Sequence, residues 1–220
     1  MMSAKDGVES ILAIINPERA TRLVLTNPED PMNTPITRNK KPYMRLKNTA
    51  DRMTVSRCLT TGAPGSAVHS VKEEVLVTVK HALIGFNSIQ FSNHLSGKAM
   101  KAKDWLKETK VAGRRKWTMQ TPIGECCWVV GAVPNRDERL LLVAAEDNEH
   151  RIAWVTATAV GRDPYALYVS AGSEAIHDMI IISFGIIEEI IRMKGLDDMA
   201  KRGRVVDTPA TEASSSSTSS

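Results

Sequence analysis

Cysteine is scarce in this 220-residue chain: there are three, an odd number that gives no disulfide framework. Cys126 and Cys127 are neighbours in a predicted strand, so their side chains should point to opposite faces of a sheet. We expect them to be small buried side chains rather than a redox or metal site. The first ten residues, MMSAKDGVES, carry too much charge for a signal peptide. The sequence therefore favours a reducing, intracellular location, namely the cytoplasm or a membrane-peripheral position there.

Motifs that support common catalytic chemistry are also missing. We find no glycine-rich phosphate loop, nucleophile elbow or pair of catalytic carboxylates. The five histidines show no metal-ligand spacing with one another or with a cysteine pair. His177 and Asp178 are adjacent, but hydrogen bonding at a helix entry explains them better than catalysis or a pH switch. We predict no cofactor, no metal and no catalytic residue, and a binding module rather than an enzyme.

A long uncharged apolar run is the third absence. A transmembrane helix needs about 18 or more apolar residues with few charges. Residues 174–194 hold eight isoleucines, but Asp178, Glu188, Glu189 and Arg192 interrupt them. Each such charge at the bilayer centre would cost about 2.5–3.5 kcal/mol. No transmembrane segment is therefore predicted.

The same segment, 174–194, is the strongest structural signal in the chain. Isoleucine favours strands, but the run is longer than the usual ~4–8 residues of a strand and its charges recur at helical spacing. A helix that is apolar on most of its circumference must be buried. We predict Ser173 as its N-cap and Gly195 as its C′ residue. Glu188 and Arg192, four residues apart, are expected to pair at its rim.

Short runs with alternating or β-branched side chains fill most of the remaining sequence and predict strands. Proline holds residues 27–36 as an irregular loop, and residues 94–110 are expected to contain a short helix. The predicted class is mainly β (α+β): an antiparallel β-barrel of about ten strands that encloses the C-terminal helix. The predicted strands lie at 22–26, 43–47, 53–59, 74–81, 84–91, 116–120, 125–133, 139–144, 151–160 and 165–170.

The C-terminal half also resembles a known family. The runs RRKWTMQTPIGECCW (114–128), LLLVAA (140–145), AWVTATAV (153–160) and HDMIIISFGIIEEIIR (177–192) resemble uncharacterised basidiomycete fungal proteins with a domain of unknown function. That family is thought to be of the tubby-like, LURP-one-related type. The resemblance implies a tubby-like β-barrel wrapped round a C-terminal helix, and it brings no catalytic residues. This chain departs from the family at Ile123-Gly124 and at Glu125-Cys126-Cys127, where an Asp-Gly turn and a tyrosine are commoner.

Three parts of the chain are expected from these patterns. Residues 1–19 form an N-terminal lead-in, residues 20–195 form the tubby-like barrel domain, and residues 196–220 form a disordered tail that ends in a serine-rich run.

The sharpest functional feature is a basic segment at 98–116. Its eight basic and two acidic residues give it a charge of +6, whereas the whole chain carries +4. Lysine clustered near Trp105 and Trp117 is suited to an anionic lipid head group or membrane surface. Tubby-like proteins include phosphoinositide binders, so the resemblance adds weight to this reading. The predicted ligand-binding residues are Lys98, Lys101, Lys103, Lys107, Lys110, Arg114, Arg115 and Lys116.

Three other readings of this segment stay open. The basic residues could be only a solvated helix face. The protein could instead be a protein–protein interaction or scaffold module that uses the proline-rich loop and the serine-rich tail. Nucleic acid is the least favoured partner, because no groove with stacking aromatics is evident. A second basic cluster, which could extend the same surface, consists of Arg38, Lys40, Lys41 and Arg45.

Overall fold

A computed structural model describes residues 15–27, 30–61, 70–82, 86–92, 97, 99–111, 114–130, 138–146, 150–156 and 165–194. Strands dominate this part of the chain, and they are followed by one long helix. The strands are β1 (Asn16–Leu25), β2 (Pro35–Arg38), β3 (Lys41–Asn48), β4 (Arg52–Thr61), β5 (Ser70–His81), β6 (Phe86–Phe91), β7 (Ala99–Lys101), β8 (Lys107–Val111), β9 (Arg114–Thr121), β10 (Gly124–Val130), β11 (Glu138–Ala144), β12 (Arg151–Thr156) and β13 (Ala166–Ala171). The helices are α1 (Ala102–Trp105), a 3-10 turn (Glu174–Ile176) and α2 (His177–Met193).

All thirteen strands belong to one antiparallel sheet with the order β7-β6-β5-β4-β3-β2-β1-β13-β12-β11-β10-β9-β8. The strands β1–β7 form one meander and β8–β13 form a second. The two meanders join in the middle of the sheet, where β1 pairs with β13. As a result β7 and β8, which are separated in sequence only by residues 102–106, lie at opposite ends of the strand order.

The prediction of a closed barrel of about ten strands is wrong. The sheet is open and has thirteen strands, and the described residues form no ladder between β7 and β8. Three strands carried too little sequence signal to be predicted. The strand β2 has four residues in a proline-rich stretch, β7 has three, and β8 (KETKV) is exposed at every position and so lacks apolar alternation. The helix expected within 94–110 is only α1, four residues long.

The open sheet nevertheless curls around α2. Strands from both meanders contact this one helix: Leu46 of β3 lies against Gly185, and Trp128 of β10 donates a 2.8 Å hydrogen bond to Ser183. At the sheet edge, Glu108 of β8 bonds Lys194 at 2.8 Å. A single helix can meet strands so far apart in the sheet order only if the sheet bends round it.

Burial of α2 follows from this arrangement. Residues 180–189 are all buried without interruption, and this stretch includes Ser183, Gly185 and two glutamates. No helix in the described part of the chain is long and apolar enough to cross a membrane. Ser173 stands at the N-cap position of the 3-10 turn that opens the helix, but its side chain does not cap it, since its hydroxyl donates to the Ser170 carbonyl at 2.6 Å. The N-cap residue of α2 itself is Ile176. Gly195 lies outside the described residues.

Candidate functional site

The basic segment does not form a single helical face. The structure places Lys101 at the end of β7, Lys103 in α1, Lys107 and Lys110 in β8, and Arg114, Arg115 and Lys116 at the start of β9. Lys98 lies outside the described residues. Because side chains alternate across a strand, these positions are divided between the two faces of the sheet.

The burial of Trp117 identifies the inner and outer faces of β9. It is fully buried, so Arg115, two residues away in β9, shares the inner face, whereas Arg114 and Lys116 point outward. The inward Arg115 is neutralised, because both it and Lys194 bond the Glu108 carboxylate. Burial alone would raise the pKa of Glu108, but these two hydrogen bonds outweigh it and hold the pKa below its usual value. The inner-face part of the segment is thus an ion-pair network at the C-terminal end of α2.

The tryptophan within the segment, Trp105, and the one directly after it, Trp117, belong to the core. Trp105 is 8% exposed and packs edge-to-face on Phe91 with ring centroids 5.3 Å apart, while Trp117 has no exposed surface. Neither ring is available to a ligand on the outside of the sheet. Any outer binding surface must therefore take its aromatic groups from elsewhere.

Such aromatic groups lie on the outer face of the second meander. Following the strand register from β9 to β1, the paired residues run Lys116–Val129, Val129–Leu141, Leu141–Trp154, Trp154–Tyr168 and Tyr168–Arg22. We call this line of six side chains the outer row. It spans about 24 Å at the usual ~4.8 Å between strands. Its centre is apolar and aromatic, and a basic residue stands at each end.

The outer row rests on a second, small hydrophobic cluster. Cys127, Leu141 and Val143 are buried on this face, and Val129 and Trp154 pack against them. The Trp154 and Tyr168 rings stack with centroids 5.4 Å apart and planes 5° apart, and both rings are partly exposed. The Arg151 guanidinium lies 5.9 Å from the centre of the Trp154 ring. Sequence reasoning missed this surface, although apolar residues on both faces of β10–β13 were its signal.

The adjacent cysteines confirm that these strands are apolar on both sides. Cys126 belongs to the main core with α2, whereas Cys127 belongs to the outer cluster. Burial raises the pKa of Cys126 to about 11 and also raises that of Cys127. Both thiols are therefore protonated near neutral pH and are poor nucleophiles. The described residues hold no group of three or more His, Cys, Asp or Glu side chains that could bind a metal ion.

The carboxylates of the two glutamates in α2, Glu188 and Glu189, have different partners. Glu188 accepts a 2.5 Å hydrogen bond from the Tyr165 hydroxyl and lies 3.1 Å from the Arg139 guanidinium. The predicted pairing of Glu188 with Arg192 is wrong, since Arg192 bonds Glu189 at 2.9 Å. The two side chains leave the helix in different directions, so each finds its own partner.

The N-terminal end of α2 meets a bulge in β3. Ile36 pairs with Met44 and Thr37 with Pro42, so Tyr43 is the extra residue, and its hydroxyl lies 3.4 Å from His177 Nδ1. Burial, and then the nearby Arg38, lower the pKa of His177.

The remaining charges near this end of the helix are paired or shared. Asp178 bonds Arg57 at 2.5 Å. Within the second basic cluster, Arg38 lies 5.8 Å from the centre of the Tyr43 ring and Arg45 pairs with Glu73 at 3.2 Å. His177 and Asp178 therefore each make a hydrogen bond to a different strand residue at the helix entry, as expected from sequence.

Together these features define a β-rich domain in which one open antiparallel sheet curls round a buried C-terminal helix. The model for a family of unknown function, DUF6593, matches residues 29–193, and the chain belongs to this family. No curated protein and no solved structure matches the chain. The expectation of an uncharacterised domain family is thereby confirmed.

Proposed function

We propose that this protein binds anionic lipid at a membrane surface through the outer face of its second meander, without being an enzyme. The observation that carries the proposal is the outer row, in which Trp154 and Tyr168 lie between two basic ends, Lys116 and Arg22. Tryptophan and tyrosine are enriched at membrane–water interfaces because their rings are amphipathic. Basic residues near an anionic leaflet contribute about 1 kcal/mol each.

Only part of the predicted basic segment belongs to this surface. Lys107 pairs in register with Thr118, beside Lys116 and on the outer side of the sheet, and it is exposed. Lys101 is exposed on the outer side of β7, since its neighbour Met100 packs against the core, but β7 is the last strand of the first meander, so Lys101 is not part of this surface. Arg115 is excluded because Glu108 neutralises it. The proposed site is thus narrower than the segment predicted from sequence.

The proposal also covers the family relationship of the protein and its location in the cell. The resemblance to tubby-like, LURP-one-related proteins of basidiomycete fungi supports lipid binding, because that group includes phosphoinositide binders. The lack of a disulfide framework supports a cytoplasmic site of action, at the inner surface of a membrane. The anionic leaflet that faces the cytoplasm would attract the basic outer face.

Liposome co-sedimentation tests the proposal. Vesicles of phosphatidylcholine alone, with phosphatidylserine, or with a phosphoinositide separate general charge attraction from head-group recognition. We expect binding to the anionic vesicles only, weakened by salt. Changing Arg22, Lys107 and Lys116 together to Glu should lower the affinity at least about 100-fold, since the attraction of three cations, about 1 kcal/mol each, is lost.

A variant with the same charge change serves as the control. Lys41, Lys47 and Lys80 are exposed and belong to the first meander, so their joint change to Glu should leave most binding intact. Trp154 fluorescence should shift to shorter wavelength on vesicle binding. Equal loss in both triple variants, or equal binding to neutral and anionic vesicles, would refute the proposal.

A further inference from the structure

The open sheet leaves two strand edges, and β8 is the longer one. In the part of the chain that the structure describes, β8 pairs with β9 alone, and all five of its residues are exposed. The backbone groups on its other side face away from the sheet. An edge strand of this kind is a template on which another extended chain can pair.

The side chains around this edge select the partner. Lys107 and Lys110 in β8 make no ion pair with any described residue, and neither does Lys103 in the adjoining α1. The one acidic residue of β8, Glu108, is already bound by Arg115 and Lys194. The edge therefore offers unpaired backbone groups beside uncompensated positive charge.

A second copy of this chain is a poor occupant. Two antiparallel β8 strands in the register that pairs Lys107 with Lys110 would set like charges opposite each other, which is destabilising. In the register centred on Thr109, Lys110 would face Glu108, but that carboxylate is already bound by Arg115 and Lys194. Lysine at an edge strand is a recognised protection against self-association. The same lysines attract an acidic segment.

We propose that the β8 edge binds an extended acidic segment of a partner protein, which adds to the sheet as a fourteenth strand. Strand addition of this type draws affinity from main-chain hydrogen bonds and specificity from alternate side chains. Lys107 and Lys110 lie three residues apart and so on opposite faces, which calls for an acidic side chain on each face of the segment. Thr109 and Val111 suit β-branched neighbours.

The test uses a labelled seven-residue peptide with Glu at positions 3 and 6, which lie on opposite faces of a strand, and Val or Thr elsewhere. The peptide is blocked at both ends, and binding is followed by fluorescence anisotropy. We expect binding that a Lys-for-Glu version of the peptide does not show. N-methylation of alternate residues removes the backbone donors that face β8 and keeps every side chain, so it should weaken binding at least about 10-fold. N-methylation of the other alternate residues, whose N–H groups face away from β8, should have a smaller effect.

Changes in the protein complete the test. Lys107→Gln with Lys110→Gln should weaken peptide binding, whereas Lys47→Gln with Lys80→Gln should not. Equal affinity of both N-methylated peptides would show a purely electrostatic contact and overturn strand addition, as would a lack of any binding. Trp154→Ala separates this inference from lipid binding, because it removes part of the outer row and leaves the β8 backbone unchanged.

Discussion

At the scale of single residues, the polar side chains of α2 show how a buried helix tolerates charge. Glu188 is 3% exposed, and its carboxylate is held by Tyr165 and Arg139. Arg139 also donates a 2.7 Å hydrogen bond to the Tyr165 hydroxyl and lies 5.7 Å from the centre of its ring. The three groups form a closed network in which each partner compensates the burial of another.

Removing one member of this network should show how much the burial of the Glu188 carboxylate costs in free energy of unfolding. Arg139→Met leaves the carboxylate of Glu188 without its cation, and breaking a buried pair in this way costs about 3–5 kcal/mol. Arg45→Met, which breaks an exposed pair with Glu73, should cost less than about 1 kcal/mol. Urea unfolding of both variants measures the difference. Equal, small losses would mean that water already solvates Glu188.

The sequence revealed that α2 must satisfy two glutamates, but it could not show how. The i,i+4 rule suggested Arg192 as the partner of Glu188 because only neighbours along the chain are visible in a sequence. Arg139 and Tyr165 come from β11 and from the residue before β13, and only the folded sheet brings them to the helix. Cys126 and Cys127 were predictable, since strand alternation alone separates their side chains.

At the scale of elements, α2 packs closely against the sheet at Gly185. A Cβ atom at this position would lie 3.3 Å from Leu46 Cδ2 and 3.8 Å from Met53 Sδ. Both neighbours belong to consecutive strands, β3 and β4. The absence of a side chain thus lets the helix approach the sheet at this point.

Enlarging this residue should separate helix and sheet. We expect Gly185→Val to destabilise the protein by about 1–3 kcal/mol through overpacking, with a lower midpoint in thermal unfolding. Gly185→Ala should change stability by less than about 1 kcal/mol, because the better helix propensity of alanine offsets a small shift of the Leu46 methyl groups. If the valine variant were as stable as the wild type, the close approach would be unimportant.

Elements were predictable where one face of a strand is buried. Such strands alternate in sequence, and each of the ten predicted runs overlaps an observed strand. The failures, β2, β7 and β8, are short or exposed and are held by pairing with neighbours rather than by their own apolar pattern. The short helix expected within 94–110 was overestimated for the same reason, because residues 99–116 contain the two edge strands β7 and β8, one turn of helix and the start of β9.

At the scale of the whole molecule, the mainly β class with a C-terminal helix was predictable and the open sheet was not. Closure of a barrel depends on backbone pairing between its two end strands, which no side-chain pattern reports. In this protein the end strands are β7 and β8, and neither was predicted. The outer row likewise needed the register of six strands before its residues could be seen as one surface.

Stability of the whole fold should depend on pH through His177. Its pKa in the folded protein lies below the ordinary value of 6.5, chiefly because of burial and then because of Arg38. The unfolded chain therefore binds a proton first as pH falls below about 6.5, and folding stability decreases. The slope is at most about 1.4 kcal/mol per pH unit for one proton.

Urea unfolding at pH 7.5 and 5.5 would measure this effect. The carboxyl groups of Glu108 and Glu174 have lowered pKa values and lose their contributions only at more acidic pH. His177→Gln should reduce the difference in unfolding free energy between the two pH values. The other charged or titratable groups facing His177 are Tyr43, Arg38, Arg57, Glu174 and Asp178. An unchanged difference in the variant would assign the pH effect elsewhere.

The five residues between β7 and β8 have a further consequence. Six residue steps separate Lys101 from Lys107, which limits the gap between the sheet ends to about 21 Å. In the part of the chain that the structure describes, the two ends of the sheet are thus joined by a short covalent connection and not by a strand ladder. A few extra residues inserted between β7 and β8 would raise this upper limit while every strand kept its neighbours, so the length of residues 102–106 sets how far apart the two ends of the sheet can move.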